Sequence, residues 1–267
     1  MLKETSIFYE TYSLKANALE EEIVLHCYLP TGIVQPEEMG LLLINDGQDL
    51  PKMKFEEILD GWIAASGRPL LCIGIEAGES RIQKYGMKDQ PDYLGRGTLA
   101  GKYQHFIEHE LYPFILSYFK VKQFQSIHLM GFSLGALSML DFALNNSLKV
   151  ASVGVMSGSL WWRKMDKNHA KYDENTDRLM HYKLKQMTNL PDGLKFFFEC
   201  GTLDEKEDRN KNGVIDSIDD TIDLMRLLSK KGKKEGRDYF YYQIEGGKHD
   251  VATWAKAIPV YWKKCIL

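Results

Sequence analysis

Residues 131–135, Gly-Phe-Ser-Leu-Gly, form a G-x-S-x-G pattern. The pattern lies between an apolar run at 126–131, which predicts a strand, and a stretch at 134–146 whose apolar spacing predicts a helix. Glycines on both sides of Ser133 give the backbone room for a sharp strand-to-helix turn, which strains the serine and exposes its hydroxyl. A serine held in this way is suited to nucleophilic attack on a carbonyl carbon.

A nucleophilic serine needs a general base, and His249 lies in the segment Gly-Gly-Lys-His-Asp at 246–250, between the predicted last strand and last helix. A carboxylate after the preceding strand would hold the imidazole in the required tautomer. The segment Gly-Thr-Leu-Asp-Glu at 201–205 supplies Asp204 as the preferred acid. The alternatives are Glu205, Asp208 and, inside the predicted strand itself, Glu199.

An oxyanion at the reacting carbonyl requires two backbone N–H donors, one of them from the residue after the nucleophile. That residue is Leu134. The turn at 44–49, Ile-Asn-Asp-Gly-Gln-Asp, follows the third predicted strand and offers the amide of Gln48 as the second donor. An ordinary Asp-Gly turn is the alternative interpretation of that segment.

Short apolar runs alternate with helical stretches after two initial strands, which read as an antiparallel pair. Runs that are apolar on both faces favour a mostly parallel sheet with helices on each side, in one α/β domain over residues 1–267. The predicted strands are 5–12, 22–29, 41–45, 70–75, 126–131, 150–156, 194–200 and 238–244. The predicted helices are 54–66, 99–119, 134–146, 173–188, 217–231 and 250–264, with irregular segments at 77–97 and 157–172.

The amino-acid composition indicates which classes of binding partner are unsuited to this protein. The 34 basic and 37 acidic residues are mixed along the chain, so no field of one sign is available for nucleic acid. No apolar stretch approaches the roughly 20 residues of a membrane-spanning helix, and the first residues lack the pattern of a secretory signal. Four widely spaced cysteines indicate neither a disulfide framework nor a metal site. The sequence as written predicts a cytoplasmic protein without nucleic-acid or membrane partners.

Several segments together resemble the putative-esterase family of α/β-hydrolases, which includes enterochelin esterase-like proteins, feruloyl esterases, esterase D and mycolyltransferases. The segments are INDGQ, YQHFIEHELYPFI, GFSLGA, SGSLWW, GTLDE and GGKHDVATW, which span most of the chain. The resemblance implies the α/β-hydrolase fold, with about eight strands. It also implies Ser133, Asp204 and His249 as a triad and Gln48 with Leu134 as oxyanion donors. The chemistry it implies is hydrolysis of a small-molecule ester.

The segment 208–219, Asp-Arg-Asn-Lys-Asn-Gly-Val-Ile-Asp-Ser-Ile-Asp, follows the pattern of an EF-hand calcium loop. Its glycine and isoleucine occupy the loop positions that require them. The predicted ligands are the side chains of Asp208, Asn210, Asn212, Asp216 and Asp219 and the carbonyl oxygen of Val214. Aspartate in place of glutamate at the last position weakens calcium binding and narrows the preference of the loop for calcium over magnesium. We expect a structural ion that steadies the loop carrying the acid; a polar turn held by Asx hydrogen bonds is the alternative.

Substrate contacts are predicted from the two irregular segments at the carboxyl ends of strands. Trp161 and Trp162 offer flat apolar area, and Arg81 and Tyr85 offer polar contacts; core packing and exposed loop positions are the alternatives. Two other functions remain open on the sequence. One is an acyltransferase with the same triad, and the other is a non-catalytic binding protein on a hydrolase scaffold.

Overall fold

A computed structural model describes residues 7–32, 36–145 and 148–267. Within these residues, eight strands form one sheet. The strands are β1 (Ile7–Ala16), β2 (Glu21–Pro30), β3 (Gly40–Asn45), β4 (Leu70–Ile75), β5 (Ser126–Phe132), β6 (Ser152–Met156), β7 (Lys195–Leu203) and β8 (Tyr239–Lys248). Each predicted strand is therefore present within the described residues, and most of the predicted ends differ from the observed ones by a few residues. Residues 5 and 6 of the predicted first strand and residue 146 of the predicted helix at 134–146 lie outside the described part of the chain.

The strand order along the sheet is β1-β2-β4-β3-β5-β6-β7-β8. The first two strands pair antiparallel, as does β2 with β4. All other neighbouring pairs are parallel. The predicted α/β fold with a mostly parallel sheet of eight strands is confirmed. The carboxyl ends of parallel strands meet at one edge of such a sheet, so residues that follow β3, β5, β6, β7 and β8 lie near one another.

Helices connect the strands and cover the sheet. In the described part of the chain they are α1 (Phe55–Ser66), α2 (Arg81–Lys84), α3 (Ala100–Phe106), α4 (Tyr112–Tyr118), α5 (Leu134–Asn145), α6 (Leu179–Gln186), α7 (Asp216–Lys230) and α8 (Val251–Cys265). A π-helical turn, Ile107–Leu111, joins α3 to α4. None of the described helices is both long and apolar enough to span a membrane.

Apolar side chains are buried on both faces of the sheet, as the uninterrupted apolar runs predicted. In β3, Leu41 and Leu43 pack into one cluster of buried residues, whereas Leu42 and Ile44 pack into a second cluster. Side chains alternate between the two faces of a strand, so the two clusters lie on opposite sides of the sheet. The sheet is thereby fixed from both sides, which gives the strand ends defined positions.

Two predictions about helices are wrong. The helix predicted over 173–188 begins only at Leu179, and the irregular segment 77–97 contains the short helix α2. Side chains explain the first difference. The backbone N–H of Asp173 donates to Asp177 Oδ2 at 2.8 Å, and that of Asn175 donates to Asp173 Oδ1 at 2.9 Å. Carboxylate acceptors of this kind compete with helical hydrogen bonds and favour a turn.

Candidate active site

Ser133 occupies the turn between β5 and α5 in a left-handed backbone conformation, with φ of 55°. Glycine is required on both sides of it. A Cβ at Gly131 would lie 2.5 Å from the carbonyl oxygen of Gly135, and a Cβ at Gly135 would lie 2.5 Å from Asp46 Oδ2. The two glycines therefore let the strand, the helix and the Asp46 turn approach one another closely. The strained serine at this junction is the arrangement that the G-x-S-x-G pattern predicts.

Hydrogen bonds hold the Ser133 backbone while its side chain stays half-buried. Its N–H donates to the carbonyl oxygen of Met156 at 2.9 Å, and its own carbonyl oxygen accepts from the N–H of Ser159 at 3.1 Å. The hydroxyl oxygens of Ser133 and Ser159 are 3.4 Å apart. The loop after β6 thus fixes the Ser133 turn from the side of the neighbouring strand.

His249 lies directly between β8 and α8 and is exposed to solvent. Asp250 caps α8 by accepting a hydrogen bond from the N–H of Thr253 at 2.9 Å. The imidazole packs edge-on against Trp254, with ring centroids 5.2 Å apart and an interplanar angle of 83°. Partial desolvation by the surrounding protein lowers the pKa of His249, and the charge of Asp204 offsets part of that shift. The ring is therefore unprotonated at neutral pH, as a general base must be.

Asp204 directly follows β7, and both of its carboxylate oxygens are buried without a hydrogen-bond partner among the described residues. Burial raises its pKa, and the charge of His249 opposes that rise. The charged groups that act on His249 are Asp204, Arg81 and Asp250, and Asp250 is engaged as a helix cap. Asp204 is therefore the carboxylate best placed to act on the imidazole.

The competing carboxylates face elsewhere. Burial raises the pKa of Glu205, and Ser217 near the start of α7 offsets part of that rise. Asp208 accepts hydrogen bonds from two backbone N–H groups of its own loop. Glu199 is completely buried inside β7 and shares a hydrogen bond with Ser157. None of these three acts on the pKa of His249 within the described part of the chain.

The turn after β3 is locked by its side chains. The Asp46 carboxylate accepts two hydrogen bonds from the Arg81 guanidinium, at 2.7 and 2.9 Å. Gln48 Nε2 donates to Asp46 Oδ1 at 3.2 Å, and Gln48 Oε1 accepts from the N–H of Ala77 at 3.1 Å. These contacts place the backbone of Gln48 at the sheet edge that carries Ser133. Leu134 begins α5, where the first-turn N–H groups have no acceptor within the helix.

The four predicted substrate contacts divide into two kinds. Tyr85 and Trp162 are completely buried; the Tyr85 hydroxyl accepts from the N–H of Asp46, and Trp162 Nε1 donates to the carbonyl oxygen of Gln90. Both side chains therefore support the site from the core. Arg81 and Trp161 retain exposed surface, and the charge of Arg81 lowers the pKa of His249. These two remain available to a bound molecule.

The predicted calcium loop folds back on itself through its polar side chains. Asp208 accepts from the N–H groups of Asn212 and Gly213, at 3.2 and 2.9 Å. The side-chain amides of Asn210 and Asn212 both donate to Asp219 Oδ2, at 2.7 and 2.9 Å.

The other two predicted ligands of this loop behave differently. Val214 donates its N–H to Asn212 Oδ1 at 2.7 Å. Asp216 is nearly buried and pairs with Arg209 Nη1 at 3.2 Å. Over the described residues, no group of three or more His, Cys, Asp or Glu side chains is arranged to hold a metal ion. Four of the six predicted ligands nonetheless converge: the amide nitrogens of Asn210 and Asn212 meet Asp219, and the Asp208 carboxylate accepts from the N–H of Asn212.

Two groups in the site, Ser157 and Glu199, are indicated only weakly by the sequence. The Ser157 hydroxyl lies between β6 and β7 and accepts a hydrogen bond from Trp254 Nε1 at 2.9 Å. The sequence indicates Glu199 only as a less favoured alternative to Asp204 for the acid that acts on His249. The segment SGSLWW contains Ser157, so its polar start was visible, but its role depends on how β6 and β7 pair.

Comparison with known structures supports the fold at low sequence identity. The enterobactin esterase FES from Shigella flexneri, solved with 2,3-dihydroxy-N-benzoyl-serine, superposes with a TM-score of 0.71 at 17% identity, covering 98% of this chain and 61% of that one. The siderophore hydrolase EstB from Aspergillus nidulans gives 0.71 at 14% identity, covering 98% and 96%. An IroE-like serine hydrolase from Shewanella oneidensis gives 0.68 at 19%, covering 96% and 80%. The chain spans about three fifths of the length of the enterobactin esterases.

At these identities the structural likeness shows the fold alone. A comparison with curated proteins gives no significant match. The family described as putative esterase, however, matches residues 16–263, which is nearly the whole chain. The chain belongs to the putative-esterase family.

Proposed function

We propose that the chain hydrolyses small-molecule carboxylic esters through an acyl intermediate on Ser133, with His249 as general base and Asp204 as the acid behind it. The observation that carries this proposal is the strained Ser133, with φ of 55°, at the sheet edge where Asp204 follows β7 and His249 follows β8. A buried carboxylate beside a partly buried imidazole stabilises the imidazolium that forms during attack.

The steps follow from the placement of these groups. His249 takes the proton of the Ser133 hydroxyl as the oxygen attacks the ester carbonyl carbon. The N–H groups of Leu134 and Gln48 stabilise the negative oxygen of the tetrahedral intermediate. The imidazolium then gives its proton to the departing alcohol, which leaves the acyl group on Ser133. Water, deprotonated by the same imidazole, releases the acid and restores the serine.

The surface for the substrate is assigned to Trp161 and Arg81. The Arg96 guanidinium lies 4.9 Å from the centroid of the Trp161 ring and holds it in place. A flat, half-buried indole suits an aromatic or long apolar part of an ester. One neighbour in the fold comparison is named a ferulic acid esterase, and another was solved with 2,3-dihydroxy-N-benzoyl-serine. Both names contain an aromatic acyl group, and we extend that substrate class to this chain.

Water and an alcohol compete for the same acyl intermediate, and the products distinguish a hydrolase from an acyltransferase. With a p-nitrophenyl ester and added methanol, we expect the free acid to be the main product, with the methyl ester rising in proportion to methanol. Release of p-nitrophenol and both acyl products are measured by absorbance and chromatography. A methyl ester that dominates at low methanol, with little free acid, would show an acyltransferase. No turnover of any ester would contradict the enzymatic proposal.

We also propose that the loop at 208–219 binds Ca²⁺ as a structural ion. Support comes from the EF-hand spacing and from the convergence of Asn210 and Asn212 on Asp219, with Asp208 tied to the backbone of Asn212. Rotation of the two amide groups would turn their oxygen atoms toward an ion in the same place. The loop follows Asp204 closely in the chain, so an ion there would steady the segment that carries the acid.

Added Ca²⁺ is expected to raise the melting temperature of the metal-free protein by about 5 °C, because an ion that binds only the folded state stabilises it. Differential scanning fluorimetry with Ca²⁺, Mg²⁺ or EDTA measures the shift. The paired substitution Asp208→Ala with Asp219→Ala should abolish it. The control Lys211→Ala changes a residue at a non-ligand position of the same loop and should retain it. An equal melting temperature with Ca²⁺ and with EDTA in the unmodified protein would rule out the calcium site.

A further inference from the structure

Glu199 is a buried carboxyl group that the proposed mechanism does not use. It lies inside β7, its side chain is 0% exposed, and Asp204 follows the end of the same strand. Glu199 Oε2 lies 3.4 Å from the hydroxyl oxygen of Ser157, within hydrogen-bond distance, and its Oε1 has no partner among the described residues. Burial, together with the negative charge of Asp204, raises the pKa of Glu199 to about 8. At neutral pH this side chain is therefore mostly a neutral acid that carries a proton.

Ser157 connects this acid to both partners of the nucleophile. It follows β6 in a left-handed conformation, with φ of 45°, and its N–H donates to the carbonyl oxygen of Glu199 at 2.9 Å. Its hydroxyl accepts from Trp254 Nε1 at 2.9 Å. Burial raises the pKa of Asp204, the nearby Ser157 hydroxyl offsets part of that rise, and both Asp204 oxygens are without a hydrogen-bond partner among the described residues. Trp254 in turn packs against His249. The Ser157 hydroxyl thus lies among two acids and the residue that supports the base.

The number of available protons determines which hydrogen bonds Ser157, Glu199, Asp204 and Trp254 can form with one another. A serine hydroxyl has one proton to donate and two lone pairs to accept with, and an indole N–H only donates. Trp254 therefore takes one lone pair of Ser157. If Glu199 and Asp204 were both ionised, they would compete for one hydroxyl proton, and one buried carboxylate would have no donor, which is costly. A protonated Glu199 removes the conflict, because its own proton fits the second lone pair of Ser157.

We propose that Glu199 is a positioning residue that donates its proton to Ser157 Oγ and so directs the Ser157 hydroxyl proton to Asp204. One oxygen of Asp204 then has a fixed donor, and the other is free to accept from His249. The inference rests on the proposed mechanism and adds to it a residue that orients the acid, Asp204. The same hydroxyl holds Trp254, so one residue, Ser157, supports both the acid and the base of the triad.

Ionisation of Glu199 would undo this arrangement as the pH rises. The ionised carboxylate takes the Ser157 proton for itself, and Asp204 loses its donor. The other titratable groups that act with Glu199 are Asp204, the Cys200 thiol and the Tyr241 phenol. Burial raises the pKa of Cys200 and of Tyr241 well above the ordinary values, so both stay neutral through this pH range. Within this set, Glu199 is the group whose charge changes near pH 8.

The test compares pH profiles of p-nitrophenyl ester hydrolysis in the full-length protein and its variants. In the unmodified protein we expect kcat/KM to be level at neutral pH and to fall as pH rises through about 8. In Glu199→Gln, whose amide donates but does not ionise, the level region should extend to higher pH. Ser157→Ala and Glu199→Leu should lower kcat by about 10-fold with little change in KM, because Asp204 loses its fixed donor. Glu199→Gln should restore the activity that Glu199→Leu loses.

Glu245→Gln is the matched control, since Glu245 is an exposed carboxylate on the neighbouring strand β8; it should keep the alkaline fall of the unmodified protein. Circular dichroism establishes that each variant is folded at the pH values compared. An active enzyme whose alkaline fall persists in Glu199→Gln, or whose Glu199→Leu variant is folded with undiminished kcat, overturns the inference alone. An unmodified protein that is inert at every pH overturns the proposed function and this inference together.

Discussion

Replacing Ser133 by alanine is expected to lower kcat for p-nitrophenyl esters by about 10⁴-fold or more, because the acyl intermediate has no other site on which to form. The fold should be unaffected. The side chain is half-buried, and the backbone hydrogen bonds from Ser133 to Met156 and from Ser159 to Ser133 do not involve the hydroxyl. Initial rates after subtraction of spontaneous hydrolysis give the effect on kcat and KM, and thermal unfolding gives the effect on stability.

Ser159→Ala is the matched control for this result, since its hydroxyl lies 3.4 Å from that of Ser133. It should keep at least about a tenth of kcat/KM, because it loses one hydrogen-bonding group and not the attacking atom. The opposite pattern, an active Ser133→Ala and an inactive Ser159→Ala, would assign the nucleophile to the loop after β6. That outcome would contradict the assignment of the G-x-S-x-G serine.

Replacing Asp204 by asparagine is expected to lower kcat by about 10³- to 10⁴-fold with a small change in KM. The amide keeps the shape of the side chain but cannot stabilise the imidazolium or select the correct tautomer of His249. The loss of a negative charge that raises the pKa of His249 should also lower that pKa further, so the acidic limb of the pH profile should move to lower pH. Stopped-flow or steady-state rates over a pH series measure both effects.

The variant Glu205→Gln tests whether Asp204 or its neighbour in the chain, Glu205, is the acid. Glu205 faces Ser217 and the start of α7, so its substitution should change kcat by less than about threefold. If Glu205→Gln lost as much activity as is expected of Asp204→Asn, and Asp204→Asn remained active, the acid would be Glu205. The segment after β7 would then adopt a different arrangement in solution.

The order of chemical groups along the chain could be predicted because it depends on local patterns. Apolar runs indicate strands, and a strained serine needs glycine on either side, so Ser133 was identifiable at the end of its strand. His249 and Asp204 follow from the same reasoning, since the carboxyl ends of parallel strands converge. The helix ends were less predictable. At 173–178 the side chains of Asp173 and Asp177 capture backbone N–H groups, a competition that periodicity alone does not show.

Side-chain contacts between neighbouring strands could not be predicted from the sequence. Glu199 pairs with Met156 in the register of β6 and β7, which brings the following residue, Ser157, beside the glutamate. Nothing in the apolar run of β7 indicates that its single glutamate would meet a serine from another strand. The two neighbouring tryptophans are a similar case. Trp162 is completely buried and Trp161 is not, and this difference depends on the path of the loop after β6.

The most direct test of the central claim is to locate the covalent adduct of a fluorophosphonate probe, which reacts with activated serine hydroxyls. Intact-mass measurement and peptide mapping of the labelled protein should show one adduct, on the peptide that contains Ser133. Labelling should disappear in Ser133→Ala and persist in Ser159→Ala. A protein that hydrolyses esters but carries its adduct elsewhere, or one that takes up no probe while folded, would contradict the assignment of Ser133 as nucleophile.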